Sequence, residues 1–150
     1  MIKIISFVDS FKHFETPINE YLKRLQKEVF LVKLKPVNKG SIPEIVKAET
    51  QVLKETLSKT KGYKVLLYID SKQFDSISFA DFIEKNRDLY SDIVFIIGGA
   101  YGVDFELIKN EIDFKLSLSP MTFPHIMAIL LLLEQIYRGI SIKKGSEYHH

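Results

Sequence analysis

Three stretches of this chain carry residue types from which chemistry can be built. The first is Ile93-Val-Phe-Ile-Ile-Gly-Gly-Ala-Tyr-Gly102, an apolar run that ends directly in a glycine-rich turn. Glycine permits positive φ and close approach to the backbone, so a buried strand opening into such a turn suits a nucleotide-type ligand at the carboxyl end of a parallel sheet. The spacing is Gly-Gly-x-x-Gly, not the dinucleotide fingerprint, and no phosphate-loop Lys-Ser/Thr follows it, which disfavours a dehydrogenase or an NTPase. A tight turn without a ligand accounts for the glycines equally well.

The second stretch, Leu116-Ser-Leu-Ser-Pro-Met-Thr-Phe-Pro-His125, is a strand end, a proline-punctuated loop and the start of a helix. Pro120 and Pro124 stiffen the loop, so its amides and carbonyls can be held toward an adenine edge while Met121 and Phe123 pack on the ring. That chemistry suits a neutral base without phosphates. The plainer alternative is a helix start with Thr122 as cap and two core side chains, and a lone His125 is more often structural. The third stretch is the tail, where Arg138, Lys143 and Lys144 suit phosphates while Tyr148 and His149 suit stacking or hydrogen bonding to a base. A solvated, frayed terminus is the ordinary alternative.

Short β-branched and aromatic runs alternate with segments of helical period, the pattern of βαβ units and a largely parallel sheet, hence an α/β class. Strands are expected at Ile2–Val8, Val29–Lys35, Lys64–Asp70, Ile93–Ile97 and Phe114–Leu118. Ser41-Ile-Pro-Glu44 is a capping box ahead of a stripe made by Ile42, Ile45, Val46, Val52, Leu53 and Leu57. Further helices are expected at Pro17–Gln26 with Thr16 as cap, at Phe79–Leu89 with Ser78 as cap, and briefly after Asp104. The last helix should start around Thr122–Pro124 and end at Arg138, stopped by Gly139. Its run Ile126-Met-Ala-Ile-Leu-Leu-Leu-Leu133 is apolar almost all round, so it needs cover on more than one side, and a second subunit is expected to supply part of it.

With 150 residues, 46% of them hydrophobic, the chain reads as a single domain over 1–150. A net charge of +2 does not by itself announce a nucleic-acid binder. Cysteine is absent, which removes disulfides and thiolate metal sites and fits a reducing, cytoplasmic setting. None of the four histidines forms a ligand pair at helical spacing, so no metal is expected. The run Ile126 to Leu133 stops at Glu134 and is far short of the roughly 20 residues of a membrane span.

In order and spacing, Glu20-Tyr-Leu-Lys-Arg24, Leu67-Tyr-Ile-Asp70, Ile96-Ile-Gly-Gly-Ala-Tyr-Gly102, Leu116 to His125, Glu134-Gln-Ile-Tyr-Arg138 and Gly145-Ser-Glu-Tyr-His149 resemble the RlmH family nearly end to end. The resemblance implies the SPOUT fold, a mostly parallel sheet with a C-terminal trefoil knot, one of the rare exceptions to unknotted connections. It implies S-adenosyl-L-methionine as cofactor, held by Ile69, Gly98, Leu118, Ser119, Pro120, Met121, Thr122 and Phe123. It also implies a homodimer in which the partner's tail completes the site, with Arg138, Tyr148 and His149 as the catalytic group. The activity it implies is methylation of N3 of a pseudouridine in bacterial large-subunit rRNA, within the ribosome. Arg138 would then stabilise the imide anion, and His149 or a water would accept the proton. The family's usual glycine three residues past the strand aspartate is Gln73 here, its usual helix arginine is Ile129, and the last basic residue is His150. These departures motivate an alternative, a ribosome- or RNA-binding protein of the same fold with impaired catalysis. A small nucleotide-binding module unrelated to methyl transfer is a third reading.

Overall fold

A computed structural model describes every residue from Met1 to His150. The elements are β1 (Ile2–Phe7), α1 (Glu15–Arg24), β2 (Val29–Leu34), α2 (Ile42–Ser58), β3 (Tyr63–Gln73), α3 (Ser76–Tyr90), β4 (Ile93–Ile97), α4 (Phe105–Ile108), β5 (Phe114–Ser117) and α5 (His125–Lys143). The five strands form one sheet in the order β2-β1-β4-β3-β5, and every neighbouring pair is parallel. All strands therefore end on one edge, where the loops after β4, β3 and β5 meet.

Both faces of the sheet are covered. Ile4, Phe95, Ile129, Leu132, Leu133 and Ile136 belong to the larger core cluster, in which α5 packs against α3 and α1. Phe7, Leu53, Leu57, Val94, Ile96 and Ile108 form the smaller cluster beneath α2 and α4. The central strand β4 is buried at all five positions, as expected of a strand covered on both sides.

Local chemistry explains most boundaries. Ser41 and Glu44 form the capping box, with the Glu44 amide donating to the Ser41 hydroxyl at 3.4 Å and the Ser41 amide donating back at 3.3 Å. The expected stripe of α2 holds at Ile45, Leu53 and Leu57, whereas Ile42 and Val52 are exposed and the buried face also takes in Glu49 and Thr50. Two starts and one end differ from expectation. The α3 cap is Asp75, which accepts the Ser78 amide at 2.7 Å, so Ser78 lies inside the helix. Thr16 likewise lies inside α1, because a 3₁₀ turn at Lys12–Phe14 runs straight into it. β3 continues to Gln73 through a register break between Leu67 and Lys72, around Asp70 at φ 33°.

The largest correction is at the end of α5. Gly139 does not stop it; a Cβ there would sit 3.3 Å from the Cα of Ala80, so glycine is what lets α5 lie against α3. The stop is Gly145 at φ +73°, with the Ser146 amide bonded to the Ser141 carbonyl at 2.9 Å and the Gly145 amide to Ile142 at 3.1 Å. By length and composition α5 is apolar enough to cross a membrane, but Ile126, Ile129, Leu132, Leu133 and Ile136 are packed into the core. Met127, Ala128, Leu130 and Leu131 are half-buried. Ile129 is fully buried, so the position of the family's usual helix arginine points into the protein interior.

Candidate active site

A cavity of about 400 Å³ opens at the carboxyl edge of the sheet, between the turn after β4, the bulged end of β3 and the loop between β5 and α5. Ile69, Gly98, Leu118, Ser119, Met121, Thr122 and Phe123 all line it, so seven of the eight residues expected to hold a cofactor converge. Pro120 lies in the same loop without lining the cavity. His125, expected to be structural, lines it as well, as do Tyr68 and Tyr101, whose spacing does not separate them from core aromatics.

The walls are shaped by backbone. The Gly102 amide closes the turn onto the Gly99 carbonyl at 3.1 Å, and Gly102 adopts φ +81°, a conformation glycine favours. A Cβ on Gly98 would lie 3.0 Å from the Gly102 carbonyl carbon and from Val103, so a side chain there would force the turn open. Across the cavity, Ser117 donates to the Ser119 carbonyl at 2.8 Å and the Met121 amide donates to the Ser119 hydroxyl at 3.0 Å. These bonds hold the loop in one shape before any ligand arrives.

Two neighbours on α2 brace the glycine turn from behind. Thr50 accepts the Asp104 amide at 3.0 Å and is fully buried. Glu49 is only 3% exposed; one carboxylate oxygen accepts the Val37 amide at 3.0 Å, while Oε1 has no partner and would lie 2.4 Å from a Cβ on Gly99. Burial pushes the Glu49 carboxyl upward, partly offset by the Val37 bond. The His125 ring bonds the Phe7 carbonyl at 3.1 Å through Nε2, and burial lowers its pKa, which favours the neutral ring.

The lining contains no Lys, Arg, Asp or Glu. A di- or triphosphate would find no counter-charge there, whereas a neutral purine and an apolar thioether-like chain would meet carbonyls, hydroxyls and hydrocarbon. The adenosine and hydrocarbon portions of S-adenosyl-L-methionine fit that donor set, and Gly98 and the Leu118–Phe123 loop are the residues that would hold it. No group of three or more His, Cys, Asp or Glu side chains is placed to bind a metal.

Arg138, Tyr148 and His149 meet one another, but elsewhere. Arg138 donates from Nε and Nη2 to Glu134 Oε1 at 2.9 and 2.7 Å, and its Nη1 lies 3.0 Å from His149 Nδ1. Since the guanidinium only donates, Nδ1 is the acceptor and the neutral imidazole carries its proton on Nε2. The Tyr148 hydroxyl lies 3.1 Å from that of Tyr21, its ring stands edge-on to Tyr137, and Arg138 lies over its face. Burial first, then the bond to Tyr21, pushes the Tyr148 phenol up to about 12, so it stays protonated at neutral pH. Tyr21, Glu134 and Tyr137 thus support the tail, a role hidden in the Glu20–Arg24 and Glu134–Arg138 motifs. Thirteen helical steps separate His125 from Arg138, about 20 Å at 1.5 Å per residue, and no tail-cluster residue lines the cavity of its own chain.

The family model described as "Predicted SPOUT methyltransferase" matches residues 1–149. The chain is 40% identical over 155 residues to a protein of Malacoplasma penetrans (strain HF-2) named ribosomal RNA large subunit methyltransferase H, covering 99% of this chain and 98% of the relative. Proteins of the same name from Fusobacterium nucleatum subsp. nucleatum and Thermodesulfovibrio yellowstonii are 36% and 39% identical, covering 92% and 93% of this chain and 91% and 90% of theirs. A crystal structure of a hypothetical protein superposes with a TM-score of 0.60 at 12% identity, over 95% of this chain and 66% of that one, a likeness of fold alone. Matched across nearly its whole length by the family model and by these relatives, the chain belongs to the SPOUT methyltransferase family.

Proposed function

We propose that this protein is a cytoplasmic, single-domain enzyme that works as a homodimer and methylates N3 of a pseudouridine in large-subunit rRNA within the ribosome. The observation that carries the reading is the uncharged, backbone-lined cavity at the carboxyl edge, matched to S-adenosyl-L-methionine, in a chain whose full-length relatives bear the rRNA methyltransferase name. When bound, the cofactor supplies an electrophilic sulfonium methyl.

The chain's own residues then have two tasks. Gly98 and the braced Leu118–Phe123 loop fix the donor, giving the proximity that makes an in-line transfer effective. Arg138, the Tyr148 hydroxyl and the Nε2–H of His149 all present donors, which suits the oxygens of an imide anion left when N3 loses its proton. With Nδ1 engaged by Arg138, His149 serves as a donor, and a water takes the proton.

The second subunit explains how both tasks meet. A two-fold axis crossing α5 near its middle would set two such helices antiparallel, carrying each tail cluster toward the other chain's cavity and covering Met127, Leu130 and Leu131. Light scattering at micromolar concentration should give twice the 17.4 kDa chain mass. Methyl incorporation into ribosomes purified from a strain lacking its own enzyme tests the activity. Absence of incorporation, with S-adenosyl-L-methionine bound, would favour the non-catalytic RNA-binding alternative.

A further inference from the structure

Beside the donor cavity lies a second, smaller one of about 160 Å³, lined among others by Asp9, Lys12, Pro36, Glu49, Tyr101 and His125. Tyr101 and His125 line both, so the two spaces adjoin across the glycine turn. The loops beyond the ends of β1 and β2 form its outer wall, and they are basic. Lys12, Lys33, Lys35 and Lys39 are all exposed, and none has a carboxylate within ion-pairing distance.

The geometry keeps these cations together. Lys12 sits at φ 51°, in the left-handed region that a non-glycine residue seldom adopts, with its amide bonded to Ser10 Oγ at 3.1 Å. The Lys33 ammonium lies 5.1 Å from the centroid of Phe11, the buried residue that precedes Lys12, so both lysines crowd the same loop. Lys33 is the second-last residue of β2 and Lys35 the first residue past its end, so the two lie close together at that edge. Since β2 stands two strands from β4 in the sheet order, this edge lies about 10 Å from the glycine turn, within the span of a few nucleotides. At the boundary, the Tyr101 ring is 53% exposed, which leaves an aromatic face open to a base.

We infer that the β1–β2 side of the donor cavity is the track for a single RNA strand, with Lys12, Lys33, Lys35 and Lys39 on its phosphates and Tyr101 as stacking platform for a base beside the acceptor. This rests on the proposed RNA substrate and adds where that strand runs. Asp9 is the one carboxylate among the six lining residues named above that is exposed, and it leaves the patch positive. Spaced, unpaired lysines interleaved with an aromatic are the elements of sequence-tolerant backbone binding.

The test uses the full-length protein and a large-subunit rRNA fragment, with binding followed by anisotropy over a range of salt and methyl transfer measured in parallel. The double variant Lys33→Glu/Lys35→Glu should weaken RNA binding at least about tenfold at low salt and lower the salt slope by about 1.4, as expected for two phosphate contacts on a single strand. S-adenosyl-L-methionine affinity and melting temperature should hold. Lys54→Glu/Lys61→Glu, the same charge change near the far end of α2, is the control and should do little. Tyr101→Ala should cost about tenfold in RNA affinity with an unchanged salt slope. Equal loss in both double variants would show a net-charge effect and overturn the track, as would no loss in either. A wild type that binds rRNA through these lysines yet transfers no methyl would leave the track standing and remove the enzymatic reading.

Discussion

The donor cavity and the tail cluster are built on opposite plans. The cavity takes its shape from backbone: glycines at 98, 99 and 102, a hydroxyl-braced loop and a strand bulge, with no charge on its walls. The tail cluster is all side chain, a guanidinium, a carboxylate, an imidazole and two phenols joined by short bonds. Backbone walls suit a ligand that must be held in one pose. Donor side chains suit charge that appears only during reaction. Each region is self-supporting, yet lies about 20 Å from the other along α5, and that is the gap the proposed pairing of two chains would close.

The strongest way to break this comparison is to remove the tail group. Arg138→Ala, or deletion after Ser146, should lower methyl transfer by about 10²–10³-fold, the scale of losing an anion-stabilising donor, with cofactor binding kept. Gly98→Val should abolish cofactor binding by forcing the turn open, read by calorimetry. Mixing the two inactive variants sharpens the test. If the sites are shared between subunits, about a quarter of wild-type sites should reappear, since a mixed dimer unites one intact cavity with one intact tail. If each chain used its own tail, none would.

The brace behind the turn gives smaller effects. Gly99→Ala drives a methyl against the Glu49 carboxylate and should destabilise by about 1–3 kcal/mol. Adding Glu49→Ala should relieve part of that clash, giving a coupling of about 1 kcal/mol in the double-mutant cycle of melting curves. The smallest effect is on pH dependence. Burial raises the folded-state pKa of Glu49 above its ordinary 4.5, so its contribution is fully present below that value and is lost as pH rises through the folded pKa. Glu49→Gln should remove that decline, visible as a melting temperature that falls less than wild type on raising the pH from the carboxylate range toward neutrality.

Where periodicity and punctuation act locally, the sequence was readable. The five strands, the capping box at Ser41 and the short helix after Asp104 are set by nearby residues. The cavity loop was legible because proline and glycine leave strong marks at Pro120, Pro124 and the Gly98–Gly102 turn. What failed depended on distant contact. Gly139 looked like a stop, yet Ala80 on another helix decides its role. Glu49 and Thr50 interrupt an apolar stripe, and only the turn they brace, some fifty positions away, explains them. The knot that belongs to the family's fold is likewise a property of the path through space, to which local periodicity is blind.

Gly139 has one more consequence. Because it lets α5 pass α3 unbroken, the mouth of the cavity at His125 and the donors at Arg138 ride on one rigid rod with a fixed rotational phase. Each residue advances that phase by about 100°. Inserting one residue between them would turn the donors to a different side of the helix without altering any functional group, so under the proposed function the length of α5 is itself a working part of the site.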